Sequence, residues 1–285
     1  MFRSLIFVPG NSTRFVEKAK TLQVDIICLD LEDSVPANEK GAARKIIADA
    51  ISRRQEYGRP VYVRTNSPES GLVAADLKAA MRRGIDGIVV PKVNDAAEIM
   101  KIKKQVAALE KRNRTGKIAL MPSIETAKGV VNAHQIAGAD DRINALVFGV
   151  FDFLYDMRLD YDENDPAGYA YARAKVPVDA SAAGVHAIDA IWQKIDDSEG
   201  LVRDAAAAKR LGYSGKSIIH PSQIEPVHKV FLPSKSEVEW AEKVVAALGD
   251  AMEKGSGRGA VRLEGRMIDA VHYKQAKAIL GATDK

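Results

Sequence analysis

The sequence predicts an α/β fold, a (β/α)8 TIM barrel of parallel strands, and three observations carry that expectation. Short apolar runs rich in β-forming residues recur eight times along the chain. Segments with apolar residues at three- and four-residue spacing separate them, which is the alternation of a parallel sheet covered by helices. The runs also lack strict polar alternation, as strands buried on both faces do. An open doubly wound sheet shares this pattern and stays open as the alternative.

Length and composition agree with one large α/β domain. The chain has 285 residues, 46% hydrophobic and 28% charged, a size at which α/β barrels form a single unit. The formal net charge is +4, but 42 Lys and Arg are scattered among 38 Asp and Glu, so an anionic ligand is permitted and a nucleic-acid partner is not implied. The single cysteine, Cys28, excludes an internal disulfide and a cysteine-rich metal cluster, which suits a reducing, cytoplasmic setting. Apolar residues 5–8 are cut off by Pro9, Gly10 and the polar residues 11–14, well short of a secretion or membrane-spanning length, so neither a cleaved signal nor a membrane partner is expected.

Taken in order, the apolar runs place strands at residues 5–8, 26–31, 61–63, 87–90, 118–121, 145–148, 185–188 and 217–219. Helical spacing fills 13–21, 40–53, 72–83, 95–111, 126–137, 169–183 and 200–211. The pattern then changes to a helix over 236–254, the glycine-rich GSGRG at 255–259, a short segment and a helix ending near Leu280. A barrel domain over 1–230 with a C-terminal helical extension over 231–285 follows. The glycine cluster comes after a helix and does not lead from a strand into one, so it reads as a flexible turn and not as a phosphate loop. The acidic stretch 156–165 lacks the spacing and the glycine of an EF-hand and reads as a solvated lid or crossover loop.

In such a barrel the loops after the strands build the site. Here they offer Asn11 and Arg14, Asp30 with Glu32 and Asp33, Arg64 with Asn66, Lys92, Glu125, Asp152, Asp189, and Lys216 with His220. Glu125 ends one apolar run and Asp152 follows the next, so the two carboxylates can converge on one hard cation. Taken alone, they could equally be two solvated loop carboxylates.

Six segments together resemble the citrate lyase β subunit and malyl-CoA lyase family of metal-dependent carbon–carbon lyases, within the HpcH/HpaI-type aldolases. They are FVPGNSTRFVEKA at 7–19, DIICLDLEDSV at 25–35, VYVRTN at 61–66, GIVVPK at 87–92, MPSIET at 121–126 and LGYSGKSIIHPSQI at 211–224. The resemblance spans nearly the whole chain and implies a TIM barrel with an added carboxy-terminal segment. It further implies Mg2+, with Mn2+ possible, and a coenzyme A or acyl-carrier thioester.

The reaction so implied splits a β-hydroxyacyl-CoA such as malyl-CoA or citramalyl-CoA into acetyl-CoA and a 2-oxo acid, glyoxylate or pyruvate, or runs in reverse. Glu125 and Asp152 would hold the metal. Arg64 would face the reacting oxygens with its fixed planar fork, or serve as a structural ion pair to Glu32 or Asp33. Glu32 and Asp33 would support Arg64 or metal-bound water. Arg14 and Lys18, one helical turn apart, can share a face directed at coenzyme phosphates or at plain solvent. His220 is expected to order the eighth loop.

In the tail, GRMIDA at 265–270 matches the family's carboxy-terminal segment. Asp269 would be the acid/base group and would act in a neighbouring subunit of a trimer or a dimer of trimers; it would equally suit a helix N-cap. One departure from the family is the pair Val150 and Phe151 before Asp152, where relatives carry acidic or small residues, so Phe151 is expected to narrow the substrate space. Remaining alternatives are a citrate lyase β subunit acting on a citryl carrier protein, a malyl-CoA thioesterase, a class II aldolase for free oxo acids, and a non-catalytic CoA-binding protein.

Overall fold

The computed structural model describes residues 2–163, 165–254 and 260–283; the GSGRG segment read as a turn lies outside the described residues. Eight strands form the barrel: β1 (Ser4–Pro9), β2 (Ile26–Asp30), β3 (Val61–Arg64), β4 (Gly87–Val90), β5 (Ala119–Ile124), β6 (Ala145–Phe148), β7 (His186–Asp189) and β8 (Gly215–Ile218). Each pairs in parallel with the next, and β8 pairs back onto β1 through Ser4↔Lys216 and Ile6↔Ile218. The barrel is closed, so the doubly wound alternative is excluded. All eight expected strands are present, two with the expected bounds and the others with an end shifted by up to three residues.

Burial explains the apolar runs. Every residue of β2, β4, β6 and β8 is buried. Leu5, Ile26, Cys28, Tyr62, Val89, Met121 and Val147 fill the interior. The Tyr62 ring lies where a side chain on Gly87 would be, since a Cβ there would meet the ring at 2.0 Å, and its hydroxyl accepts a hydrogen bond from Asn144 Nδ2 at 3.0 Å.

Around the barrel lie α1 (Thr13–Ala19), α2 (Lys40–Ser52), α3 (Val73–Ala80), α4 (Ala96–Asn113), α5 (Ala127–Val131), α6 (Ala133–Ala137), α7 (Val150–Met157), α8 (Ala170–Ala182), α9 (Ser198–Leu211) and α10 (Ile224–Phe231). Three differ from expectation, the first being α10, which fills a stretch where no helix was expected. The helix expected over 126–137 is broken at Asn132, whose side chain donates to the Asn94 carbonyl instead of facing solvent. Asp152, expected in a loop, sits in the first turn of α7, which starts directly after Gly149. Apolar residues at 150, 153, 154 and 157 carry that helix, and a carboxylate in its first turn interacts favourably with the helix dipole.

The chain divides into two compact units, Met1–His228 and Lys229–Lys285. The second holds α11 (Lys235–Lys254), the antiparallel hairpin of β9 (Ala260–Leu263) and β10 (Arg266–Asp269), and α12 (Ala270–Thr283). Ala241, Val244, Leu248, Ile268 and Ala276 form its core. The hairpin turns through Glu264 and Gly265, both at positive φ (49° and 83°), as a tight two-residue connection between twisted strands requires. No helix among the described residues is long and apolar enough to cross a membrane.

Candidate active site

Register brings the first two functional side chains together. β2 and β3 pair Asp30 with Arg64, and the guanidinium grips the carboxylate at two points, Nε to Oδ1 and Nη2 to Oδ2, each 2.7 Å. Ser34 and the Glu32 amide donate to the same carboxylate. Burial works to raise the pKa of Asp30, but the Arg64 charge and these hydrogen bonds outweigh it and hold the carboxyl below its ordinary value. Arg64 lies over the Phe7 ring, 4.4 Å from its centroid. Its Nη1 is 3.1 Å from Glu32 Oε2, which is buried and lacks an aligned hydrogen bond. Asp30, to which no role attaches in the sequence reading beyond its place at a strand end, is therefore the principal partner of Arg64; Glu32 is second, and no ion pair joins Arg64 to Asp33.

The acidic group lies across the same opening. Glu125 follows β5 and is buried. Its carboxylate lies against the backbone where β6 passes into α7: a Cβ on Gly149 would come within 2.4 Å of Glu125 Cγ and 2.8 Å of Oε1. That glycine leaves the space Glu125 needs beside the turn carrying Asp152. Burial first, and then the neighbouring Glu32 and Asp152 carboxylates, push Glu125 up to about 8. Glu32 is pushed up to about 7, mainly by burial, with Asp33 adding to the effect and Arg64 opposing it. Lys92, after β4, reaches Glu32 Oε1 at 2.8 Å, Asp152 Oδ1 at 3.1 Å and Asp33 Oδ2 at 3.5 Å.

Carboxylates crowded around a buried Glu125 suit a divalent cation, which relieves the repulsion between them. Glu125 and Asp152 are the pair that could hold one, with only oxygen donors at hand. Among the described residues no cluster of three or more His, Cys, Asp or Glu is arranged to hold a metal, so remaining positions would fall to water and substrate oxygens.

Arg64, Glu125 and Asp152 line one cavity of about 430 Å3, with Phe151 and Ile191 on its apolar wall. A second cavity of about 620 Å3 is lined by Arg14, Phe15, Lys18 and His220. Phe7, Pro9 and Ile219 border both. Arg14 and Lys18 thus share a cavity, as their spacing suggested. His220 caps its loop by accepting the Ser222 amide on Nδ1, the ordering role expected of it. Phe151 packs on Tyr161, with ring centroids 4.9 Å apart, which ties the cavity wall to the stretch after α7.

Other strand-end residues do not join the site. Asp189 and Lys216 pair with each other at 2.7 Å in a buried cluster with Arg173 and Asp204. Asn66 is bound to buried Asp76, and Asn11 to Glu39. Asp269, in the second unit, caps α12: its Oδ1 accepts from the Val271 amide at 3.0 Å and pairs with His272 Nδ1 at 2.7 Å. The His272 hydrogen bonds hold its carboxyl below the ordinary value.

Comparison with known proteins gives the same picture. The sequence model described as HpcH/HpaI aldolase/citrate lyase matches residues 3–221, and one described as a carbon–carbon bond lyase of the TIM-barrel fold matches 172–283. Citrate lyase subunit beta of Leuconostoc mesenteroides is 35% identical, over 98% of this chain and 92% of that protein. The mitochondrial citramalyl-CoA lyase of Rattus norvegicus is 33% identical, over 98% and 85%. The structure of CitE from Mycobacterium tuberculosis in complex with magnesium, acetoacetate and coenzyme A is 28% identical, covers 99% of this chain and 98% of that one, and superposes with a TM-score of 0.81.

Proposed function

The chain belongs to the HpcH/HpaI aldolase/citrate lyase family, and from that premise we propose that it is a Mg2+-dependent carbon–carbon lyase acting on a β-hydroxyacyl-CoA, malyl-CoA or citramalyl-CoA. The products are acetyl-CoA and glyoxylate or pyruvate. One observation carries the reading: Arg64, Glu125 and Asp152 face one cavity, which shares the wall of Phe7, Pro9 and Ile219 with a second cavity lined by Arg14 and Lys18. The first has the charges for a metal and an oxo acid; the second has the cations and volume to take part of a coenzyme.

Cleavage breaks the bond between the acetyl carbon and the hydroxyl-bearing carbon. The electron pair stays on the acetyl carbon, the hydroxyl proton passes to the acid/base carboxylate, and that carboxylate returns a proton to the acetyl carbon. Glu125 and Asp152 would hold Mg2+, which would supply a Lewis acid for the oxygens of the oxo acid. Arg64 stabilises charge that develops on the reacting oxygens, with its fork fixed by Asp30 and Glu32 so that little reorganisation is needed. Glu32 orients Arg64 and Lys92, and Asp33 orients Lys92. Arg14 and Lys18 bind coenzyme phosphates. Phe151 limits the group on the oxo acid, where one methyl distinguishes pyruvate from glyoxylate and is worth only about 1–3 kcal/mol.

Asp269 is the acid/base group for the acetyl carbon, supplied by a neighbouring subunit of a trimer or a dimer of trimers. Support for this is the family motif GRMIDA at 265–270. A cytoplasmic setting agrees with the buried free thiol of Cys28.

Citryl carrier-protein cleavage is the second reading, favoured by the 35% identity to a citrate lyase β subunit. That match spans 98% of this chain and so includes most of the tail, which therefore does not separate the two readings. Identifying the products from malyl-CoA and citramalyl-CoA tests the proposal, with Glu125→Gln and Asp152→Asn as controls that should lose Mg2+-dependent turnover while remaining folded.

A further inference from the structure

Lys92 touches both carboxylates assigned to the metal, and it does so with two different atoms. Its backbone N–H donates to Glu125 Oε2 at 3.2 Å. Its ammonium lies 3.1 Å from Asp152 Oδ1 and 2.8 Å from Glu32 Oε1. Both contacts come from a residue in the left-handed region, at φ 53°, a conformation disfavoured for a side chain that bears a Cβ. Strain of this kind persists where surrounding contacts hold it, and it gathers at functional sites.

The charge distribution shows what those contacts accomplish. Arg64 is committed to Asp30 and Glu32. Among the described residues the ammonium of Lys92 is the one cation paired with Asp152. A divalent ion held by Glu125 and Asp152 would lie close to that ammonium, and like charges so placed repel.

We propose that Lys92 is a positioning residue that serves as the built-in counter-cation of the metal-free site: its ammonium neutralises Asp152 until a divalent cation takes that carboxylate over, and then remains with Glu32 and Asp33. The backbone N–H holds Glu125 in both states. This rests on the metal assignment of the proposed function.

The test is Mg2+ binding by calorimetry to metal-free protein, with thermal unfolding measured alongside. Lys92→Gly is the informative variant, because glycine adopts positive φ freely and keeps the N–H to Glu125 while the ammonium is removed. Its Mg2+ dissociation constant should fall about tenfold, the order expected when one partly buried competing ion pair is lost. Its metal-free melting temperature should fall below that of the wild type, and saturating Mg2+ should restore most of the difference. Lys92→Met should bind more tightly in the same direction, whereas Lys92→Arg, which keeps the charge, should bind as the wild type does. Equal or weaker Mg2+ binding by both the Gly and Met variants overturns the proposal while the metal assignment stands. A wild type that binds no Mg2+, or that binds it unchanged after Glu125→Gln, overturns the metal assignment and this proposal with it.

Discussion

The Arg64 guanidinium meets the Asp30 carboxylate at two points, both 2.7 Å, across the register-paired ends of β2 and β3. A buried two-point contact fixes the plane of the fork as well as its charge, so Arg64→Lys should lower kcat roughly 100-fold or more although the charge is kept. Asp30→Asn should leave Arg64 with Glu32 in place of its two-point partner, cost roughly 3 kcal/mol of stability, and reduce kcat by misaligning the fork. Steady-state kinetics with chemical denaturation of each variant checks both. A lysine variant with near-normal kcat would make Arg64 a structural residue.

Gly149 gives a prediction that needs no change to any charged group. A Cβ at that position would press on Glu125, so Gly149→Ala should displace the carboxylate and weaken Mg2+ binding about tenfold or more, as changes beside a metal ligand do. Substitution at Gly71, where a Cβ would meet nothing within 4 Å, should cost stability through its left-handed φ of 72° and leave Mg2+ affinity unchanged. Titration calorimetry on the two variants separates the effects.

A parallel barrel gathers the residues that follow its strands, so part of the candidate site could be read from the sequence. Glu125, Asp152 and Arg64 line one cavity, and Arg14 and Lys18 line a second. Asp30 was harder to place, since a carboxylate closing a buried strand gains a role only when the β2–β3 register sets it beside Arg64. Asp189 and Lys216 looked equivalent to the site residues. They pair instead with Arg173 and Asp204 from α8 and α9, because strand alternation sends them to the helix side of the barrel. Lys92 carried no sign of its left-handed backbone, which depends on contacts distant in sequence.

Stability should depend on pH through His228, outside the site. The Ser4 hydroxyl lies 2.7 Å from its Nε2, and burial together with Arg3 holds the ring below its ordinary value of 6.5. The unfolded chain then binds a proton that the native ring resists, so this contribution is present above about pH 6.5 and is lost as pH falls through the lower native pKa. His228→Gln should therefore lose less stability than the wild type between about pH 6.5 and 5. Parallel denaturation curves for the two proteins over that range would remove His228 as a source of the slope.

Subunit exchange tests the role of Asp269. Asp269→Asn and Glu125→Gln proteins, each inactive alone, should recover part of the wild-type rate when unfolded and reassembled together, because some mixed sites then contain both intact residues. Mixtures that stay inactive although subunits demonstrably exchange would place Asp269 in its own chain's site or outside catalysis.

The reaction is defined by the bond that breaks. Incubation of the purified protein with malyl-CoA and with citramalyl-CoA, with and without Mg2+, followed by identification of the products, measures it directly. The account predicts Mg2+-dependent formation of acetyl-CoA with glyoxylate or pyruvate, and no such products from Glu125→Gln or Asp152→Asn. Free coenzyme A with malate or citramalate would show cleavage of the thioester instead, and would contradict the carbon–carbon lyase assignment.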